Sequence, residues 1–151
     1  MTQASFFMKK LLNEPIVKFL AIGLVLYLTW FALYEMWIHP MQWVDMFIID
    51  NTIASSRKIL ELLGYATEMA GDRTMRITGT PGLFIGDSCN GISLFALFSI
   101  FIISFPGNRM SKIIFIPVGI LIIHLLNIMR VVILAIIETY SYAWTEFNHT
   151  Y

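Results

Sequence analysis

The sequence predicts an all-α membrane protein: about three transmembrane helices, an outer-face amphipathic helix and a short β-hairpin just before Cys89. Three observations lead there. Hydrophobic residues make up 58% of the 151-residue chain and charged ones 13%, with a mean hydropathy of +0.73, a balance that does not suit a soluble domain. Three apolar stretches, 16–37, 90–105 and 113–137, compare with the roughly 20 residues that span hydrocarbon. The segment between the first two, 38–89, changes first to an amphipathic and then to a strand-like pattern. Three spans offer little interior, so a single membrane-embedded domain over 1–151 is expected. The formal net charge is zero and no basic run occurs, which argues against a nucleic-acid partner.

Lys9 and Lys10 ahead of the first stretch resemble a signal peptide. The stretch is too long for a usual signal core and lacks a small-residue cleavage site, so it reads as an uncleaved signal anchor. Lys9, Lys10 and Lys18 before the first span, and Arg109 and Lys112 in the short second connection, place both on the cytoplasmic side. The N-terminus is then cytoplasmic, and the loop 38–89 and the C-terminal tail face outward from a multi-pass cell (inner) membrane protein. Within the loop, Trp43 to Ile49 is apolar with aromatic anchors. Ile53, Ile59, Leu60, Leu63 and Ala66 recur near helical spacing, which predicts a helix lying on the bilayer surface. From Arg73 to Gly86, Thr74, Ile77, Thr78 and Thr80 precede Pro81-Gly82, and Leu83, Phe84 and Ile85 follow; two short strands around a turn fit.

Polar residues in the apolar stretches are the candidates for chemistry. Arg130 lies about 10 Å short of the outer end of its expected span at 1.5 Å per residue. A cation there marks a functional site by default, against the simpler reading of snorkelling to the headgroups. Asn127, one turn earlier, is placed to orient the guanidinium, and His124 to hydrogen-bond a neighbouring helix. Cys89 is the only cysteine, so neither an intramolecular disulfide nor a C-x-x-C zinc site can form, and no cofactor or metal is expected. It is a packed, inert thiol, half of an intermolecular bridge, or a reactive nucleophile at the amino end of a helix, where free N–H groups and the helix dipole favour the thiolate. Its neighbours Asp87, Ser88, Asn90 and Gly91 are cap and turn residues, a polar cluster that a merely structural cysteine would not require. His149 sits in a polar tail. Catalysis by a thiol needs a group to handle protons and a cation or N–H donors for the oxyanion, roles that His149 and Arg130 fill.

Cys89-Asn90-Gly91-Ile92, Asn127-Ile128-Met129-Arg130 and the following His149 resemble the exosortase and archaeosortase family, in the C-N-G form of the small bacterial exosortases of the Bacteroidetes type. The likeness covers about residues 70–151. It implies a membrane-embedded cysteine protease or transpeptidase that cuts the C-terminal sorting signal of an exported protein, a short motif, a hydrophobic helix and a basic tail, on the outer face. By position it makes Cys89 the nucleophile, His149 the general base and acid, and Arg130 the stabiliser of the acyl transition state, with Asn127 and Asn90 in support. Family members generally continue past the histidine into another apolar helix, whereas this sequence ends at Tyr151, so a C-terminally truncated form is expected. The alternative is a non-catalytic membrane scaffold in which Arg130, Asn127 and His124 form interhelical contacts. A thiol oxidoreductase is disfavoured because a second cysteine is lacking.

Overall fold

In the computed structural model of the chain the described residues are 14–149, without the side chains of residue 88 and residues 141–149. Lys9 and Lys10 of the expected signal anchor lie outside them. Four helices and a small sheet follow in order: α1 (Pro15–Met41), α2 (Trp43–Leu62), β1 (Thr67–Gly71), β2 (Thr74–Ile77), β3 (Leu83–Phe84), α3 (Ile92–Ser104) and α4 (Arg109–His149). They form two compact units, Met1–Pro40 with Ser93–Leu121, and Met41–Ile92 with Ile122–Tyr151.

In the first unit, α1 starts at Pro15, whose missing N–H costs nothing in the first turn. Its 27 residues are long and apolar enough to cross a bilayer. Near its end it widens into a π-helical turn, Tyr34–Ile38, where His39 N–H donates to Tyr34 O. Pro40 explains the widening, because it has no N–H to offer the Met36 carbonyl four residues back. At Gly23 α1 lies beside Ser104 of α3, and Phe19 meets Phe101 and Phe105 edge-on, with ring centroids 5.5 and 6.1 Å apart. The hydroxyls of Ser99 and Ser104 donate to carbonyls four residues back, so neither is left unsatisfied in apolar surroundings. Lys112 Nζ donates to Ile103 O and Phe105 O and thereby caps the open end of α3. Asn108 Oδ1 accepts from Met110 N–H and starts α4. At Gly119 of α4 a Cβ would collide with the ring of Phe98, so only glycine permits this approach.

Among the described residues two helices, Pro15–Met41 and Arg109–Tyr140, are long and apolar enough to span a membrane, and the third expected span is a shorter apolar helix. The middle stretch is a helix of 13 residues, about 20 Å against a hydrocarbon core of about 30 Å. It is shorter than 90–105 because Asn90 and Gly91 belong to the turn before it.

In the second unit, Ile49, Ile53 and Leu60 of α2 pack with Met75, Ile77 and Ile85 and with Val131, Val132 and Ala135 of α4 into one buried core. The α2 positions recur at helical spacing, as does the small polar set Thr52 and Ser56 on the same helix. Thr52 Oγ1 bonds its own helix at Ile48 O and Ser56 Oγ reaches Ile128 O across the interface, so small side chains bring the helices close with their hydroxyls satisfied. The helix begins at Trp43 and buries its Ile53 and Leu60 face against protein, leaving Trp43, Phe47 and Leu62 exposed. The sheet has the order β1-β2-β3, antiparallel throughout, with Glu68 opposite Arg76 and Met75 opposite Leu83. The expected β2–β3 hairpin contains Pro81-Gly82 in its connection, and β1 adds an edge strand. Gly82 N–H donates to Glu138 Oε1, which ties that connection to α4.

Candidate active site

The site begins with a turn. Asp87–Cys89 forms one 3-10 turn in which Cys89 N–H donates to Gly86 O at 2.9 Å, and α3 starts only at Ile92. Cys89 therefore precedes the helix by three residues instead of opening it. Asn90 is 1% exposed and joins the two: its Oδ1 accepts from Ile92 N–H at 2.9 Å, satisfying a free donor at the start of α3. Gly91 has φ 85, the left-handed region that residues with a Cβ avoid, so the glycine after Cys-Asn is what lets the chain turn from the 3-10 segment into the helix.

Three side chains from elsewhere in the unit hold this segment. Arg73, in the β1–β2 turn, pairs with Asp87 at 2.7 Å and also donates to Met46 Sδ and Gln42 Oε1 near the start of α2. Asp45, in the first turn of α2 and wholly buried, accepts from Asn90 Nδ2. Asn127 of α4, 6% exposed, donates through Nδ2 to Cys89 O at 2.9 Å. Each removes one degree of freedom from a four-residue stretch, and together they define where the half-buried Cys89 side chain points.

It points at Arg130. Arg130 Nη2 donates to Cys89 Sγ at 3.5 Å, a bond of normal length for sulfur. The two residues are 41 apart in sequence, and α4 presents Arg130 and Asn127 three residues apart on one side, guanidinium to the sulfur and amide to the carbonyl of the same cysteine. A planar cation beside the sulfur can, once an acyl carbon is attached there, donate to the oxygen that develops negative charge.

The remaining candidates fall elsewhere. His124 Nε2 meets Asn51 Oδ1 of α2 at 2.9 Å, the interhelical hydrogen bond anticipated for it. His149 closes α4, 19 residues beyond Arg130 or about 28 Å of axial rise, and its side chain lies outside the described residues. Among the described residues no three His, Cys, Asp or Glu side chains gather where they could hold a metal ion. Sequence reasoning missed Asp45 and Arg73. A charge inside the apolar run Trp43 to Ile49 was a signal for the first; an arginine in a tight turn gave none for the second.

Residues 11–150 match the family described as transmembrane exosortase. No curated protein and no solved structure matches the chain significantly. With nearly the whole length matched, the chain belongs to the transmembrane exosortase family.

Proposed function

We propose that this protein is a membrane-embedded cysteine transpeptidase or peptidase acting on the C-terminal sorting signal of exported proteins. The observation that carries the reading is the 3.5 Å contact between Arg130 Nη2 and the sulfur of the chain's single cysteine, within a family of transmembrane exosortases. In this reaction Cys89 Sγ, having lost its proton, attacks the scissile carbonyl carbon. Arg130 donates to the oxyanion, the C–N bond breaks, the departing amine takes up a proton, and an acyl thioester remains. An acceptor nucleophile then attacks the thioester and restores the thiol. Asn127 and Asn90 hold the cysteine in place.

Proton transfer is assigned to His149 on the family resemblance. The substrate is an exported protein whose signal helix lies in the bilayer beside the enzyme. Lys18, Arg109 and Lys112 favour a cytoplasmic N-terminus in the inner membrane and a site on the outer face, with α3 as a short third span.

The test is Cys89→Ala in the membrane of the producing cell. Exported proteins ending in an apolar helix and a basic tail should then accumulate with that helix still attached, while the variant remains inserted. Undiminished removal of the helix eliminates Cys89 as the nucleophile. Rapid labelling of wild-type Cys89 by a membrane-impermeant maleimide added outside is the second expected result, and protection from it would support the scaffold alternative.

A further inference from the structure

Asp45 is a fully buried carboxylate in an otherwise apolar segment, and the catalytic reading makes no use of it. Burying a carboxylate is costly unless its surroundings compensate. Asp45 lies in the first turn of α2, where the helix dipole favours negative charge, and its Oδ1 receives the Asn90 amide.

We propose that Asp45 is a positioning residue that, through Asn90, holds the Cys89 turn so that the thiol meets the Arg130 guanidinium. The inference rests on the reading of Cys89 and Arg130 as partners in the reaction.

The argument turns on the difference between an acid and an amide. Asn90 has a donor end and an acceptor end, and the turn works only one way round, with Oδ1 on Ile92 N–H at 2.9 Å. Asp45 Oδ1 takes the Nδ2 end of the Asn90 amide, and an acceptor in that place turns Asn90 Oδ1 toward Ile92 N–H. An asparagine at position 45 would remove that compulsion: its own NH2 could bind Asn90 Oδ1, flip the amide and free the start of α3. Arg73 on Asp87 and Asn127 on the Cys89 carbonyl hold neighbouring residues, but neither sets the orientation of Asn90.

Because the chain has one cysteine, alkylation of the purified full-length protein in detergent by iodoacetamide, followed by intact mass, reports on Cys89 alone. The measurement is the factor by which Arg130→Ala slows alkylation in four backgrounds: wild type, Asp45→Ala, Asp45→Asn, and Asp45→Asn combined with Asn90→Asp. Retained helicity by circular dichroism is checked for each. In the combined variant the amide at position 45 donates to the carboxylate at position 90, whose other oxygen still accepts from Ile92 N–H, so a single orientation returns. Taking the ratio cancels any general effect of the new charge beside the thiol.

The expected factor is about tenfold in wild type, below about twofold in both single variants, and about tenfold again in the combined variant, the pattern of coupled residues in a mutant cycle. A merely structural role predicts the same factor in every background, and that result overturns the proposal. So does failure of the combined variant to restore the factor. If Asp45→Ala does not fold, the isosteric Asp45→Asn and the combined variant decide. An Arg130→Ala effect absent already in wild type overturns the underlying reading of Arg130, an outcome distinct from equal factors throughout.

Discussion

The side-chain amide of Asn127 donates to the backbone carbonyl of Cys89 at 2.9 Å, one helical turn before the arginine whose guanidinium meets the same cysteine's sulfur. One helix thus grips both the main chain and the side chain of Cys89. The asparagine of the N-x-x-R pattern consequently supports the cysteine directly, where the spacing alone had pointed to support of the guanidinium.

Replacing Asn127 by leucine, similar in size but without the amide, leaves the half-buried Cys89 carbonyl without this donor. Such a loss costs about 1–3 kcal/mol. Thermal unfolding in detergent should shift down accordingly, and iodoacetamide should alkylate Cys89 at an altered rate; an unchanged melting temperature and labelling rate would remove Asn127 from the site.

Arg130→Lys keeps the charge and loses the planar fork of donors. The ammonium cannot reproduce the guanidinium geometry at Cys89 Sγ, and removing an oxyanion donor costs about 10²–10³ in rate. Removal of the sorting helix should fall by about that factor with membrane insertion unaffected. Wild-type turnover in this variant would show that the positive charge alone suffices.

Gly91 carries φ 85 at the joint between the Cys89 turn and α3. Alanine there should cost about 1–2 kcal/mol, whereas asparagine, which visits this region more readily, should cost less. The order of melting temperatures, glycine above asparagine above alanine, is the check.

Gly119→Ala should destabilise the contact between α3 and α4, because the added methyl meets the ring of Phe98. Overpacking of this kind costs about 1–3 kcal/mol. Combining it with Phe98→Leu should recover part of the loss, measured by thermal unfolding of both single variants and the double one.

Glu68, on the exposed edge strand, has its carboxyl held below its ordinary value of 4.5, chiefly by the hydrogen bond from the Arg76 guanidinium, then by Thr78 and by the charge of Arg76. A depressed folded-state pKa means stability that is present above pH 4.5 and lost as pH falls through the lower folded-state value. Glu68→Gln should therefore melt below wild type at pH 7 in low salt and match it under strongly acid conditions, with the difference at pH 7 shrinking as salt is added. A difference that persists unchanged into acid would contradict the pairing.

The β1 strand shows why part of the fold escaped prediction. Thr67-Glu68-Met69-Ala70-Gly71 has no run of β-branched or aromatic residues and almost no burial; it is held by pairing with β2 and by Glu68 across from Arg76. Such a strand depends on a partner and has little local signature. β2, with Met75 and Ile77 buried on alternate positions, was visible from its own residues. The face of α2 was equally readable as apolar, but what covers it was not, since Val131, Val132 and Ala135 lie 71 to 86 residues further along the chain.

What the amino-acid sequence by itself determined is whatever a local sum or a fixed spacing decides. Composition and apolar length predict the membrane class, a glycine after Cys89-Asn90 permits a left-handed joint, and a spacing of three from Asn127 to Arg130 puts them on one side of a helix. Tertiary structure alone decided that this side meets Cys89, that Arg73 pairs with Asp87, and that Asp45 faces Asn90. Those contacts close loops of 14 to 45 residues, and no periodicity within a window records which distant partner will satisfy a buried polar group.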